Sequence, residues 1–225
     1  KRFAKVERAA KGNDDEAKEQ LAVIEKIKPV LEAGGSVRDV DLDEEEQKIV
    51  KGFFLLTSKP VLYVANISED SMGDPESDEL FQAVKKYANE HGAEAIGIAA
   101  ESEEEIAELD DADKQEFLDA AGVEEPGLDK LIRAAYKLLN LETFFTAGGK
   151  ETKAWTYLKG TKAPQAAGII HSDFERGFIR AEVMSFADLD KLGSEQAVKE
   201  AGKLRVEGKE YVMQDGDIVN FRFNV

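Results

Sequence analysis

The chain has 225 residues, a formal net charge of −17, two histidines and no cysteine. Disulfides and thiolate metal sites are therefore excluded, an imidazole metal site is unexpected with His91 and His171 so far apart in sequence, and a reducing compartment fits. No apolar run approaches the ~18 to 20 residues that cross a bilayer, and no signal-peptide pattern opens the chain, so a cytoplasmic protein without membrane contact is expected.

Residues 1 to 33 read as two helical pieces, with Phe3, Val6 and Ala10 at helical spacing and then Leu21, Ile24, Ile27 and Leu31. Pro29 predicts a kink or an early end at Lys28. The start at Lys1, inside a helical pattern and without methionine, suggests that something upstream has been removed. Asp43, with Glu46 three residues on, predicts a capping box opening a further helix. Two helices joined by a loop suggest an antiparallel hairpin; a plain helical pair packed on a core fits the pattern equally.

From Lys59 the period changes. "VLYVA" reads as a buried strand that ends abruptly at Asn66, with Glu69 three residues later. "SDELFQAVKKYANEHG" predicts a helix capped by Ser77, stopped by Gly92, and apolar at Leu80, Val84, Tyr87 and Ala88. "AEAIGIAA" is a second strand, and the length of the crossover predicts that the two are parallel. Helices follow around Lys114 to Ala121 and over "GLDKLIRAAYKLLNL", the latter apolar at Leu128, Leu131, Ile132, Ala135, Leu138 and Leu139. Beyond Leu141 three alternating segments, "KAWTYLKGT", "GFIRAEVMS" and "DIVNFRFNV", read as half-buried strands. "QDGD" is a hairpin turn signal, and "FADLDKLG" and "SEQAVKEAG" read as short helices.

The acidity is concentrated. Residues 66 to 125 hold 20 Asp and Glu against three Lys, while the flanking parts are close to neutral. A phosphate-rich partner is repelled by that segment and is left to the ends of the chain; DNA is not an expected partner.

Asn66 and Glu69 pose the main functional question. An asparagine after a strand is an ordinary turn or cap residue. In open α/β sheets, however, ligands bind at the carboxyl ends of the strands, where Asn66 sits beside the loop at Ala99 and Ala100. A planar base fits between them, with the Asn66 amide on its edge and backbone amides opposite.

At this point the layout resembles the YchF/Obg-like ATPase family of P-loop proteins. Guanine-nucleotide relatives carry Asn-Lys-x-Asp after this strand. This family carries Asn-x-x-Glu, matched here by Asn66 and Glu69, with Ile67 where the lysine would be. The change removes the guanine-specific contact and implies ATP preferred over GTP. The family's next base-binding segment is a Ser-Ala pair; here Ala99 replaces the serine and loses a side-chain hydrogen bond, with Ala100 following. "LLNLETFFTAGGKETKAWT", "GTKAPQAAGIIHSDFERGFIRAEV" and "GKEYVMQDGDIVNFRFNV" look like the family's TGS domain, a β-grasp fold.

The resemblance implies a mixed α/β and α+β chain in three parts. These are a helical hairpin over 1 to 57, the distal part of a P-loop nucleotide-binding α/β domain over 58 to 141, and the TGS domain over 142 to 225. It implies a monomeric parent that works with the ribosome or RNA and cleaves the β–γ bond of ATP or GTP with Mg²⁺. The alternative is a non-enzymatic docking module. No G-x-x-x-x-G-K-S/T motif is present, "AGGKET" at 147 to 152 has the wrong spacing, and no catalytic residue is assigned. The chain alone is expected to retain no nucleotide or Mg²⁺. "ESEEE" at 101 to 105 reads as a solvated helix start before it reads as a cation site, and His171 as structural. Lys153, Lys159, Lys162, Arg176 and Arg180, interleaved with Trp155, Tyr157 and Phe174, are the candidates for RNA contact.

Overall fold

The structure, a computed structural model, describes residues 2–12, 14–148 and 151–224. It forms two compact units, Lys1–Ile132 and Arg133–Val225.

The first unit opens with helices α1 (Arg2–Lys11) and α2 (Asp15–Glu32). Asp14 caps α2 by accepting the Ala17 N–H at 3.1 Å. The two helices pack through Val6, Ala17 and Ile24, with Phe3, Leu21 and Phe53 around them. Of the two outcomes expected at Pro29, a kink or an early end, the early end does not occur: α2 runs through the proline. Proline deletes one backbone hydrogen bond in the last turn, and the burial of Val23, Ile24 and Ile27 immediately before it carries the helix on to Glu32. Helix α3 (Glu44–Lys51) has the full capping box between Asp43 and Glu46, and it closes a second cluster of Val23, Ile27, Val37 and Val50.

After α3 the chain makes an unusual turn. Phe54 has φ +55° and its ring is 85 % exposed, followed by an equally open Leu56. A side chain other than glycine in the left-handed region costs about 1–2 kcal/mol, so this segment carries a conformational cost and an apolar exposure together.

Strands β1 (Leu62–Asn66) and β2 (Glu94–Ile98) pair in parallel, from Leu62 opposite Glu94 to Asn66 opposite Ile98. They are connected by helix α4 (Glu79–Glu90). The strand–helix–strand expectation holds, but β1 is not buried as expected, Val64 being 50 % exposed, and α4 brings two further corrections. The cap of α4 is Asp78, which accepts from Leu80 N and Phe81 N, while Ser77 closes the preceding turn on Asp74 O. The buried stripe of α4 is Phe81 and Ala88, whereas Leu80 is 80 % exposed and Tyr87 packs edge-on to Tyr63 and stacks on His91. Two apolar stripes lie side by side on this helix, and a sheet of two strands covers only one. Helices α5 (Ala100–Glu108), α6 (Asp111–Ala121) and α7 (Gly127–Leu138) follow. The core of this part is Ile67, Met72, Phe81, Ala99, Ile106, Leu118 and Val123. Of the apolar positions expected in α7, which runs across the boundary between the two units, Leu131, Ala135 and Leu138 are half-buried while Leu128 and Ile132 are exposed.

The second unit is a five-stranded sheet in the order β4-β3-β7-β5-β6. Its strands are β3 (Leu141–Gly148), β4 (Glu151–Leu158), β5 (Phe178–Ser185), β6 (Arg205–Glu207) and β7 (Asp217–Phe223). Pairing is antiparallel except between β3 and β7, which meet in parallel at Phe145 and Ile218. Helices α8 (Ala163–Ile170) and α9 (Ser172–Arg176) cover one face over Phe144, Tyr157, Ala181, Val183 and Phe221. Helices α10 (Phe186–Leu192) and α11 (Glu195–Glu200) cover part of the other through Met184, Val198 and Ile218. "QDGD" does turn the chain, with Gly216 at φ +80°, but it joins no hairpin: the neighbours of β7 are β3 and β5. The expected helices over 186–192 and 195–200 are present, and α8 and α9 were not foreseen.

No helix among the described residues is long and apolar enough to cross a membrane.

Candidate functional site at the ends of the parallel strands

Because β1 and β2 are parallel and end in register, they release their following loops on the same edge. The Ile67 N–H donates to Ile98 O at 3.0 Å, holding the two exits together. The Asn66 side chain then spans the gap: its Oδ1 accepts the Ala100 N–H at 3.1 Å. Ala100 is the first residue of α5, and Ala99 before it has no side-chain cap to offer. An orphan donor at a helix start is thus satisfied from a strand 34 residues away in sequence. With Oδ1 committed, the amide Nδ2 is left as a donor on an exposed edge. For Asn66 itself the capping and base-edge roles are compatible, one using the oxygen and the other the nitrogen, but the Ala100 N–H expected to meet the base from the opposite side is spent on Asn66.

Glu69 begins a short turn, Glu69–Ser71, on the same loop; its carboxylate is exposed and has no hydrogen bond or ion pair among the described residues. Ile67 and Ala99 differ from Asn66 and Glu69. Both side chains are buried in the core with Met72, Phe81 and Ile106, so only their backbones line the loop. A serine hydroxyl at position 99 would enter that apolar cluster.

The sequence reading missed Glu103. Its carboxylate accepts the Gly127 N–H at 2.6 Å and the Leu128 N–H at 3.3 Å, capping α7 from the first turn of α5. A Cβ at Gly127 would stand 2.7 Å from that carboxylate, which accounts for the glycine. The one signal available was a glutamate run followed by "PG"; nothing local tied the two. Among the described residues no group of His, Asp or Glu is arranged to hold a metal. Of "AGGKET", Gly149 and Lys150 lie outside the described residues.

In the second unit the candidate RNA contacts are dispersed. Lys159 pairs with Glu142 at 3.0 Å, Arg176 with Asp173 at 2.8 Å, Arg180 with Glu182 at 3.3 Å, and Lys162 with Glu210. Lys153 lies over the Trp155 ring, 4.1 Å from its centroid. Lys153 shares the sheet face of Trp155 and Tyr157, while Arg180, next to the core-facing Ala181, lies on the opposite face. The structure therefore does not gather the five into one patch. It brings Arg180 beside Arg222, directly opposite in register, with Glu182 bridging both. The hydrogen bond from Arg222, with that from Arg180 and against some desolvation, holds the Glu182 carboxyl below the usual range.

The aromatic candidates are structural. Trp155 Nε1 donates to Thr146 Oγ1, Tyr157 is buried with its hydroxyl on Glu142, and Phe174 stacks on Phe223 at 3.9 Å. His171 caps α9, its Nδ1 accepting the Asp173 N–H at 3.1 Å. Asp217, 2 % exposed, accepts from Tyr211, Gln214 N and Arg205.

In fold the chain is similar to two solved nucleotide-binding proteins. It superposes on the structure of the Schizosaccharomyces pombe YchF GTPase with a TM-score of 0.80 and 34 % identity, over 96 % of this chain and 61 % of that one. A GTP-binding protein from Pyrococcus horikoshii OT3 matches with a TM-score of 0.52 at 17 % identity, a likeness of fold alone. In sequence, residues 141–224 match the YchF-GTPase_C family, described as a protein of unknown function (DUF933). The "Ribosome-binding ATPase YchF" of Bacillus subtilis (strain 168) is 52 % identical over all 225 residues, and that of Escherichia coli O157:H7 is 49 % identical over 221. Over its whole length the chain is similar to YchF proteins. It spans about three-fifths of the length of these relatives, 62 % and 60 % respectively.

Proposed function

We propose that this chain is the base-reading and ribosome-facing portion of a cytoplasmic, monomeric P-loop nucleotide hydrolase that prefers ATP to GTP and acts on its β–γ phosphate bond. One observation carries the reading: Asn66, locked through Oδ1 onto Ala100, presents a free donor beside the unpartnered Glu69 carboxylate where two parallel strands end. Both purines offer an acceptor to an amide donor. A carboxylate one methylene longer than the aspartate of guanine-reading relatives is out of register for the paired ring donors of guanine. These residues fit the base end of a nucleotide and supply nothing for the phosphates or Mg²⁺, so no hydrolytic step is assigned to them.

The second unit is read as a TGS domain of β-grasp type, and residues 1 to 57 as the inserted hairpin. For contact with ribosomal RNA, the support narrows to the sheet face of Arg180 and Arg222. Both are half-exposed and share a single counter-ion, and exposed pairs of this kind are worth at most about 1 kcal/mol, so a phosphate competes readily. The rival docking-module reading draws on the missing phosphate loop.

The experiment is a measurement of ATP and GTP affinity in a chain extended to the full length of its relatives, with and without Glu69→Asp. The ratio is expected to move toward GTP, only partly, because Ile67 still stands where guanine readers have lysine. An unmoved ratio removes Glu69 from base selection and favours the docking module.

A further inference from the structure

A cleft of about 370 Å³ opens in the first unit, away from the strand ends, between the loop that follows α2, helix α3 and the C-terminal end of α4. Its floor includes Val40, Leu42 and Val50, and three basic residues, Arg38, Lys51 and His91, stand in its walls. No carboxylate lines it, in a chain of net charge −17. Asp39, Asp41 and Glu90 adjoin lining residues in sequence but do not themselves line the cleft; a little further along, Asp43 caps α3 and Glu46 pairs with Lys26.

Arg38 is already oriented. Its Nη1 donates to Thr57 O at 3.0 Å and to Lys59 O at 2.8 Å, so both hydrogens of that nitrogen are spent on the backbone. Nε and Nη2 keep three N–H donors without partners among the described residues, in the planar fork that matches carboxylate and phosphate oxygens. The Lys51 ammonium has no hydrogen bond or ion pair among the described residues. His91 is held through Nδ1 against Tyr87 O at 2.9 Å, leaving Nε2. The end of α4 contributes carbonyl groups, which disfavour negative charge near Gly92. An anionic head therefore belongs at the Arg38–Lys51 side.

The geometry points to a binding site for a small organic anion, its carboxylate or phosphate head on Arg38 and Lys51 and its apolar body over Val40, Leu42 and Val50. The cavity holds the volume of about a dozen waters, at roughly 30 Å³ each, which sets the ligand at about a dozen non-hydrogen atoms. At ordinary ligand efficiency such a molecule binds with Kd between about 0.05 and 2 mM.

The test titrates the 225-residue protein with 4-phenylbutyrate, benzyl phosphate and the uncharged 4-phenylbutanol, reading backbone amide resonances. The two anions are expected to give saturable shifts confined to the loop after α2, α3 and His91–Gly92. At least one should bind five-fold or more tighter than the alcohol, and the stronger of the two assigns the head group. Lys51→Gln, at an exposed residue with no structural bond, is expected to weaken that anion about five- to ten-fold. Arg38→Gln should weaken it further, and since Arg38 also ties two carbonyls, the lysine variant is the decisive one. Equal binding by the alcohol, shifts scattered over the surface, no saturation by either anion below 5 mM, or affinity untouched by Lys51→Gln would each overturn the proposal.

Discussion

Asn66 does two jobs with the two ends of one amide, and two substitutions separate them. Asn66→Ala removes both. Asn66→Asp keeps an oxygen for the Ala100 N–H, and adds a charge that suits a helix start, but loses the donor. In the isolated chain the alanine variant gives up one hydrogen bond to an exposed N–H that water can re-satisfy, about 1 kcal/mol. With a urea m-value of about 1–3 kcal/mol/M, the unfolding midpoint of the first unit falls by about 0.3–1 M. Asn66→Asp should leave that midpoint within the spread of repeat measurements or slightly above. Base affinity should follow a different order. In a full-length chain both variants lose the contact to the base acceptor, costing about 1–3 kcal/mol, or roughly 5- to 150-fold in ATP affinity. The assays are urea unfolding followed by circular dichroism and titration with a fluorescent ATP analogue. If Asn66→Asp binds ATP as the parent does, the free Nδ2 reads no base. If Asn66→Ala unfolds at the parent's midpoint, the bond to Ala100 contributes nothing to the fold.

Glu103→Gln should destabilise the first unit by about 1–2 kcal/mol, seen as an earlier thermal transition, because a neutral amide replaces the charged acceptor of two helix-start N–H groups. Gly127→Ala should be comparably costly through the clash with that carboxylate. The Tyr211 phenol is pushed up to about 12 by burial and its bond to Asp217. A raised value in the fold means stability fully present below the ordinary tyrosine value near 10 and lost as pH climbs toward 12. The second unit should therefore weaken across that window, with Tyr157, also raised by burial and its bond to Glu142, adding to the loss, and Tyr211→Phe should reduce the loss without abolishing it. Pure 225-residue protein should release no phosphate from ATP or GTP above background, since no phosphate loop positions the γ-phosphate; turnover that co-purifies with the chain would contradict this.

What the sequence made legible were the features whose cause is local. The change of period at Lys59, the Asp43 capping box and the alternation in β4, β5 and β7 each sit within a few residues, and each is found where the spacing put it. Choices that depend on what lies across the core were not legible. Phe81 and Leu80 are equally good at helical spacing, and only the width of the sheet decides between them. Helix α5 carries no cap of its own because its cap comes from β1, and α7 is capped from α5; neither donor can be paired with its acceptor from the string alone. In the second unit a cluster of basic letters between 153 and 180 looked like a patch. Strand alternation sends Lys153 and Arg180 to opposite faces, and Arg222, 42 residues downstream of Arg180, supplies the real neighbour.

Phe54 has a bearing on how the protein behaves at the bench. A phenyl ring raised on a left-handed backbone, with Leu56 two residues on, puts a sticky apolar knob in the near-neutral first part of a chain whose net charge is −17. At low ionic strength the acidic residues keep molecules apart; with added salt that repulsion is screened while the apolar contact strengthens. Concentrated stocks should therefore keep better in dilute buffer than in high salt, and phenyl-derivatised matrices should retain the protein more strongly than its mean hydropathy of −0.41 suggests. Glycine or asparagine at this one position would relieve the backbone and remove the knob, which makes Phe54 the first residue to change when a better-behaved sample is wanted.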